Sequence, residues 1–294
     1  MSYLRNWKDY NEALVKRGSI LLDLEFVANW SAELKAMNEA KEGARFRYPE
    51  SFVKLLSVVH AYILPYRQLE GFTRALSQHV DGLKAPDYTT IWWRVARMKV
   101  DLASHVDLDK DVTIAVDSSG IKVSNRGEWI RHKWKVKRGF IKVHIAVDTR
   151  NKQIVAMEIT KEEVSDGRML ERLVDDSSGK VDVRKVLGDG AYDSRKNFRF
   201  LAERGIDPLI KVRKNSSFKA KGCMPRRSAV LLQLGNPDWK HLKGYGYRWM
   251  AESAFSSIKR LFGEYISSIK WTNIVNELLL KASIYNLFMA MNPQ

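Results

Sequence analysis

Apolar positions recur at helical spacing through residues 1–100, and near residue 111 the period shortens to that of strands. In the first part SFVKLLSVVHAYI, PYRQLEGFTRAL and DYTTIWWRVARM form three short amphipathic segments. Pro65 opens the second, where its fixed φ suits a first helical turn. Asp87, Thr89 and Thr90 are candidate caps for the third. Short helices with tight turns, the last carrying Arg94, Arg97 and Lys99, suit a helix-turn-helix and a plain helical bundle equally.

Beyond residue 111, DVTIAVDSSG reads as a short apolar strand ending in a turn, with Asp117 at its end. GFIKVHIAVDTR and KQIVAMEITK follow as two more strands joined by a turn around Thr149–Lys152. GRMLERLVDD is helical, VRKVLGDGAYDS a strand ending in a glycine-flanked acid, and SRKNFRFLAERG a helix stopped by Gly205. IDPLIKVR is a further strand, followed by a basic loop, a helix through Glu252 and a last helix over about residues 273–290. Three linked antiparallel strands followed by alternating α and β elements is the order of a ribonuclease H-like fold. The expectation is therefore an α/β protein: a ribonuclease H-like catalytic core over residues 106–294, with its C-terminal helices. Residues 1–105 are the helical N-terminal domain and carry the candidate helix-turn-helix.

The 294 residues allow one large domain or a catalytic domain with a smaller companion, and 45% hydrophobic content is enough for a real core. A net charge of +16 points to a polyanionic partner, first of all nucleic acid. The excess is uneven: residues 1–100 carry 15 Lys/Arg against 11 Asp/Glu, a net of +4, and the remaining +12 lies beyond. The single cysteine, Cys223, allows no internal disulfide and no cysteine-pair zinc site, which fits a reducing cytoplasm. No signal peptide is read at the N-terminus. Glu277 and Lys281 interrupt the long apolar stretch near the C-terminus, so it reads as a buried helix and no membrane partner is expected.

The stretch YGYRWMAESAFSSIKRLF carries the most specific chemistry. On a helical wheel at about 100° per residue, Tyr245, Arg248, Glu252 and Lys259 fall within about 60° of one another. Ala251, Phe255, Ile258 and Phe262 form an apolar seam beside them, which places Glu252 at the rim of a core. A carboxylate can hold a metal ion, and Arg and Lys can hold phosphates. An ordinary solvated face with i,i+4 ion pairs is the competing reading of such a stripe. Upstream, Asp117 and Asp189 each end a predicted strand, and acids at strand ends converge across an open α/β sheet. Glycines 188 and 190 leave room for a ligand to approach the backbone beside Asp189. Turn or cap roles would also explain either Asp alone. Two Asp and one Glu together suit two Mg²⁺ ions about 4 Å apart, with Mn²⁺ as a substitute, acting on a phosphodiester. Asp148 in the hairpin turn and Asp193, a candidate cap for the next helix, rank below these.

Residues 121–142 hold eight Lys/Arg against one acid, with Trp129, Trp134 and Phe140 interleaved. Cations for phosphates and aromatics for unstacked bases are the parts of a nucleic-acid groove; Arg131, Lys133, Trp134, Lys135, Lys137 and Arg138 are the candidates. Residues 211–227 hold seven Lys/Arg and no acid. Either run alone is equally a solvated loop. No G-x-S-x-G elbow, H-E-x-x-H pair or P-loop occurs, which weakens nucleophilic-hydrolase, zinc-protease and nucleotide readings.

DSSG at Asp117, GDGAYDS at Asp189 and Y-x2-R-x3-E-x6-K at Glu252 resemble the DDE transposases of bacterial and archaeal insertion sequences. The likeness is to families four and five, also carried by YRQLEGFTRAL and DYTTIWWR, and spans about residues 45–290. The interval of 63 residues from Asp189 to Glu252 leaves no space for a large β insertion, so family five fits better. The resemblance implies metal-dependent cleavage at terminal inverted repeats and attack of the freed 3′-OH on target DNA. It makes Asp117, Asp189 and Glu252 the catalytic metal ligands and places Tyr245, Arg248 and Lys259 on DNA. A homo-oligomer in the DNA complex is expected. The alternatives are a domesticated DNA-binding protein and a metal-dependent nuclease of the same fold.

Overall fold

The computed structural model describes residues 6–102, 111–123, 140–219 and 222–291. The chain divides into two compact units. The first comprises residues 1–100, 270–284 and 291–294; the second comprises residues 101–269 and 285–290.

In the first unit the predicted helices form at Glu50–Tyr62, Tyr66–Leu76 and Tyr88–Val95, preceded by Trp7–Ser19 and Glu25–Asn38. Pro65 stands at the N-cap just outside its helix, and Asp87 caps the third by accepting from the Thr90 N–H at 2.9 Å. Phe26, Trp30, Tyr48 and Phe52 form an aromatic centre, the Phe26 and Phe52 rings 4.7 Å apart. Arg94 is buried: it donates to Glu50 at 2.7 Å and to the Tyr48 carbonyl at 2.9 Å, and lies over the Phe46 ring. Its charge is used inside this unit to tie the third helix to the first, so it is not an exposed phosphate contact.

The second unit is built on a sheet in the order β3-β2-β1-β4-β5: β1 Val112–Val123, β2 Phe140–Asp148, β3 Ile154–Lys161, β4 Val183–Gly188 and β5 Asp207–Ile210. β1, β2 and β3 are antiparallel neighbours, and β4 and β5 continue parallel from β1. This is the strand order of a ribonuclease H-like core, and it follows the element order read from the pattern. Helices Leu170–Ser178, Arg195–Glu203 and Met224–Gly235 accompany it. Ile114, Val116, Leu173, Val186, Phe198 and Val230 are among the buried members of its core. The hydrophobic spacing had marked the first two of these helices, whereas Met224–Gly235 begins inside the segment read as a basic loop. Pro225 near its start and Val230 on its buried side explain why a run rich in Arg still folds this way.

β1 differs from the short strand expected. It runs on to Val123, so Asp117 lies within it, paired with Ile145 of β2. Hydrogen bonding to β2 carries the strand through the polar SSG segment that reads as a turn in isolation. On its other edge β1 pairs with β4 only as far as Ala115. A short strand β6, Tyr265–Ile266, takes up that edge again at Lys122. Asp117 lies in the interval between these two partners. Gly263, at φ +79°, turns the chain from helix Trp249–Phe262 into β6.

Helix Trp271–Ala290 contributes its last turn and a half to this unit. There Asn286 is buried and binds both backbone groups of Ile154, accepting from its N–H at 2.7 Å and donating to its carbonyl at 2.8 Å. The Tyr285 hydroxyl donates to the Lys152 carbonyl at 2.9 Å. No helix among the described residues is long and apolar enough to cross a membrane. Asn286→Ala would leave two buried backbone groups of β3 without these bonds. It is expected to destabilise the protein by about 2–4 kcal/mol in urea denaturation; a change under about 0.5 kcal/mol would show that the Asn286 contacts do not hold the edge strand.

Candidate active site

The parallel register brings the two aspartates together. Ala115 pairs with Leu187; Asp117 stands two residues further along β1 and Asp189 just past the end of β4, near enough for its charge to act on the Asp117 carboxyl. Asp189 follows the end of β4 with an extended backbone, and its Oδ1 accepts from the Ala191 N–H at 2.8 Å, capping the turn Gly190–Tyr192. The cap role that could explain such an acid is therefore present, but only one of its oxygens makes it.

Helix Trp249–Phe262 supplies the third acid. Met250, Ala251, Ala254, Phe255 and Ile258 bury one face, which includes most of the predicted seam. Glu252 remains about half exposed, its side chain at 54%. It accepts from Arg248 one turn earlier, and the same guanidinium reaches Asp117 at 3.7 Å. Arg248 thus stands between two of the three acids. Among the described residues no three His, Cys, Asp or Glu side chains lie close enough to hold one ion as they stand.

The electrostatics at Asp117 show what this crowding does. Burial pushes its carboxyl up, and the charges of Asp189 and Glu252 push it further. The Ser118 N–H and Arg248 pull the other way, and the net result is a value of about 6. Arg248 is partly buried, which alone would lower its pKa, but its bond to Glu252 and the nearby acids hold it above the ordinary arginine value.

The four-residue stripe does not lie on one helix. Tyr245–Arg248 forms a 3-10 turn, opened by Gly244 at φ +70°, and the α-helix starts at Trp249. The wheel holds from Glu252 to Lys259, which is partly exposed on the same helix. It fails for Tyr245, which is buried against Trp239 with rings 4.8 Å apart. The Tyr245 hydroxyl donates to the Gly188 carbonyl at 3.2 Å, and burial pushes its pKa up to about 12. Tyr245 supports the end of β4, directly before Asp189, instead of presenting a phenol to solvent.

Gly188, on one side of Asp189, differs from expectation. A Cβ on Gly188 would meet the Tyr192 ring at 3.3 Å, so the space is filled by that ring and not left for a ligand. The Tyr192 hydroxyl is buried with no hydrogen-bond partner among the described residues, and burial together with Asp166, Asp117 and Asp189 raises its pKa. Asp193 does not cap the following helix; Ser194 does, accepting from the Asn197 N–H at 3.1 Å. Asp193 is buried and takes Arg226 through two bonds of 2.6 and 2.8 Å, as well as the Arg213 N–H. Two cations of the second basic run thus brace the loop after Asp189. Arg131, Lys133, Trp134, Lys135, Lys137 and Arg138 lie outside the described residues.

Sequence reasoning did not single out Asp166. It lies in a turn after β3 and accepts from the Ser118 hydroxyl at 2.7 Å, next to Asp117. The only signal available was its place in the polar SDGR that joins a strand to a helix.

Residues 109–287 match the family described as Transposase DDE domain, and residues 15–126 match a second family of the same description. The expected likeness to DDE transposases is borne out. The chain also aligns with a piggyBac transposase from a cryo-EM structure of its synaptic complex with hairpin DNA. Identity is 13% and the TM-score 0.45, over 94% of this chain and 74% of that one.

A carboxyl raised from its unfolded value to about 6 binds its proton more tightly in the folded state, so the folded protein loses stability as pH rises through that interval. Asp117→Asn imitates the protonated form. Without added metal it is expected to stabilise the protein by on the order of 2 kcal/mol at pH 7.5 and by much less at pH 4.5, measured as a shift in Tm. Equal Tm for the two proteins at pH 7.5 would contradict the crowding of charge at Asp117.

Proposed function

This chain belongs to the DDE transposase family, and on that premise we propose that Asp117, Asp189 and Glu252 together hold divalent metal, Mg²⁺ or Mn²⁺, and cut DNA at the terminal inverted repeats of a mobile element. The observation that carries the reading is the parallel pairing of β1 with β4 up to Ala115 and Leu187, two residues before Asp117 and Asp189, together with Arg248 bound to Glu252 and 3.7 Å from Asp117. The donor set fits a hard cation: it is all oxygen, and the charges of Asp189 and Glu252 add to the demand for positive charge at Asp117. A cation held there would supply a Lewis acid for the attacking and leaving oxygens of a phosphodiester.

The chain's own residues do the rest. Asp117 and Asp189 are set by the sheet, whose backbone fixes their directions before any ligand arrives. Tyr245 holds the strand end beneath Asp189 through the Gly188 carbonyl. Arg248 keeps the carboxylates compensated in the free protein. The Arg248 guanidinium has the planar fork that would suit a phosphodiester beside the cut, and Glu252 is the acid beside it that would help hold the cation. Lys259, seven residues beyond Glu252 on the same helix, extends that cationic line. The run from Arg131 to Arg138, with Trp134, adds further phosphate contacts and a base-stacking surface. After cleavage the freed 3′-OH would take the place of water and attack a target phosphodiester, forming a new phosphodiester and releasing the target strand's own 3′-OH, in an oligomeric complex assembled on the element ends in the cytoplasm.

A labelled duplex carrying the repeats that flank the gene tests this reading. With Mg²⁺ the wild type is expected to cut at the repeat end and join it to target DNA. Glu252→Gln is expected to lower cleavage by about 10³-fold or more while repeat binding changes less than about threefold. Undiminished cleavage by Glu252→Gln would remove Glu252 from the site, and nicking without joining would identify a nuclease instead.

A further inference from the structure

One short turn touches the supports of both aspartates. Asp166 opens the turn Asp166–Arg168 and accepts from the Ser118 hydroxyl at 2.7 Å, while the Ser118 N–H donates to Asp117 at 2.9 Å. Ser118 and Asp117 are adjacent on β1 and point to opposite faces of the sheet. Holding the Ser118 side chain therefore sets the roll of the strand, and with it the direction of Asp117.

The other side of the turn is locked to Asp189. A Cβ on Gly167 would come within 2.9 Å of the Ala191 carbonyl, in the turn that Asp189 caps. The buried Asn197 amide joins the two turns, donating to the Gly167 carbonyl at 3.0 Å and to the Tyr192 carbonyl at 2.9 Å. Only a glycine allows this approach.

Asp166 is itself anchored from below. Lys142 lies 3.2 Å from the same carboxyl oxygen and also donates to the Val164 carbonyl at 3.0 Å. His144, directly opposite Ser118 on β2, is wholly buried and held by Thr160, with its other ring nitrogen 3.8 Å from Asp166. The charge of Asp166 is met by Lys142, and its lone pairs by Lys142 and Ser118.

Resting on the metal-site reading above, we infer that Asp166 is a positioning residue: through Ser118 on one side and Gly167 on the other, its turn fixes the separation of Asp117 and Asp189 before metal enters. It acts as a hydrogen-bond acceptor at Ser118, not as a ligand or a base. Groups that orient metal ligands from behind typically carry about 10–100-fold of the affinity.

The test is Mn²⁺ binding by the full chain without DNA, followed by EPR of the free ion, with Tm measured alongside. Asp166→Ala and Ser118→Ala are each expected to weaken Mn²⁺ binding about tenfold, and the double variant no further than either single one. Asp166→Asn keeps the acceptor and is expected to stay within about threefold of wild type. Three results would overturn the inference: wild-type affinity in Asp166→Ala, an Asp166→Asn as weak as Asp166→Ala, or a double variant whose losses multiply. A wild-type chain that binds no Mn²⁺ would instead overturn the metal-site reading itself.

Discussion

The crowding of a partly buried Asp117 by the charges of Asp189 and Glu252 is the constraint around which the second unit is arranged. Burial raises the demand for positive charge at Asp117, and the charges of Asp189 and Glu252 raise it further. Arg248 meets part of that demand by touching both Asp117 and Glu252. A protein selected for stability alone would place no such cluster here, because pairs of like charge held close are costly. The cluster persists because the sheet fixes it: β2 grips β1 on both sides of Asp117, and the core beneath β4 fixes Asp189.

The break in pairing along β1 is the second necessary condition. Strands paired without interruption would cover Asp117 with a neighbouring backbone. Here β4 stops at the level of Ala115 and β6 begins only at Lys122, leaving an opening beside which the 3-10 turn with Arg248 and the Glu252 helix are placed. Tyr245 closes the floor of that opening by binding the last carbonyl of β4. Its burial makes the Y-x2-R-x3-E-x6-K signature a mixture of one supporting residue, Arg248 and Glu252 beside Asp117, and a partly exposed Lys259 further along the helix.

Much of the fold was legible because hydrophobic period responds to local geometry. The alternation in GFIKVHIAVD and the seam of Ala251, Phe255 and Ile258 each name an element and its buried face. What was not legible depends on partners distant in sequence. SSG after Asp117 reads as a turn until β2 supplies its hydrogen bonds. Arg94 reads as a surface cation until Glu50 and the Tyr48 carbonyl enclose it, and Arg226 until Asp193 does. Asp166 is marked locally only by its place in a polar SDGR turn: its partners Ser118 and Lys142 lie 48 and 24 residues earlier. The acids at 117, 189 and 252 were singled out since their spacing and glycine or cation neighbours set them apart, but the placement of Arg248 between them is a property of the folded chain.

The most direct test of the central claim is anomalous diffraction at the manganese edge from crystals of the full chain soaked in Mn²⁺. The account predicts a manganese peak bound by both Asp117 and Asp189, with Arg248 withdrawn from Asp117. Saturating Mn²⁺ with no peak between the two aspartates, and Arg248 still bridging Asp117 and Glu252, would contradict it.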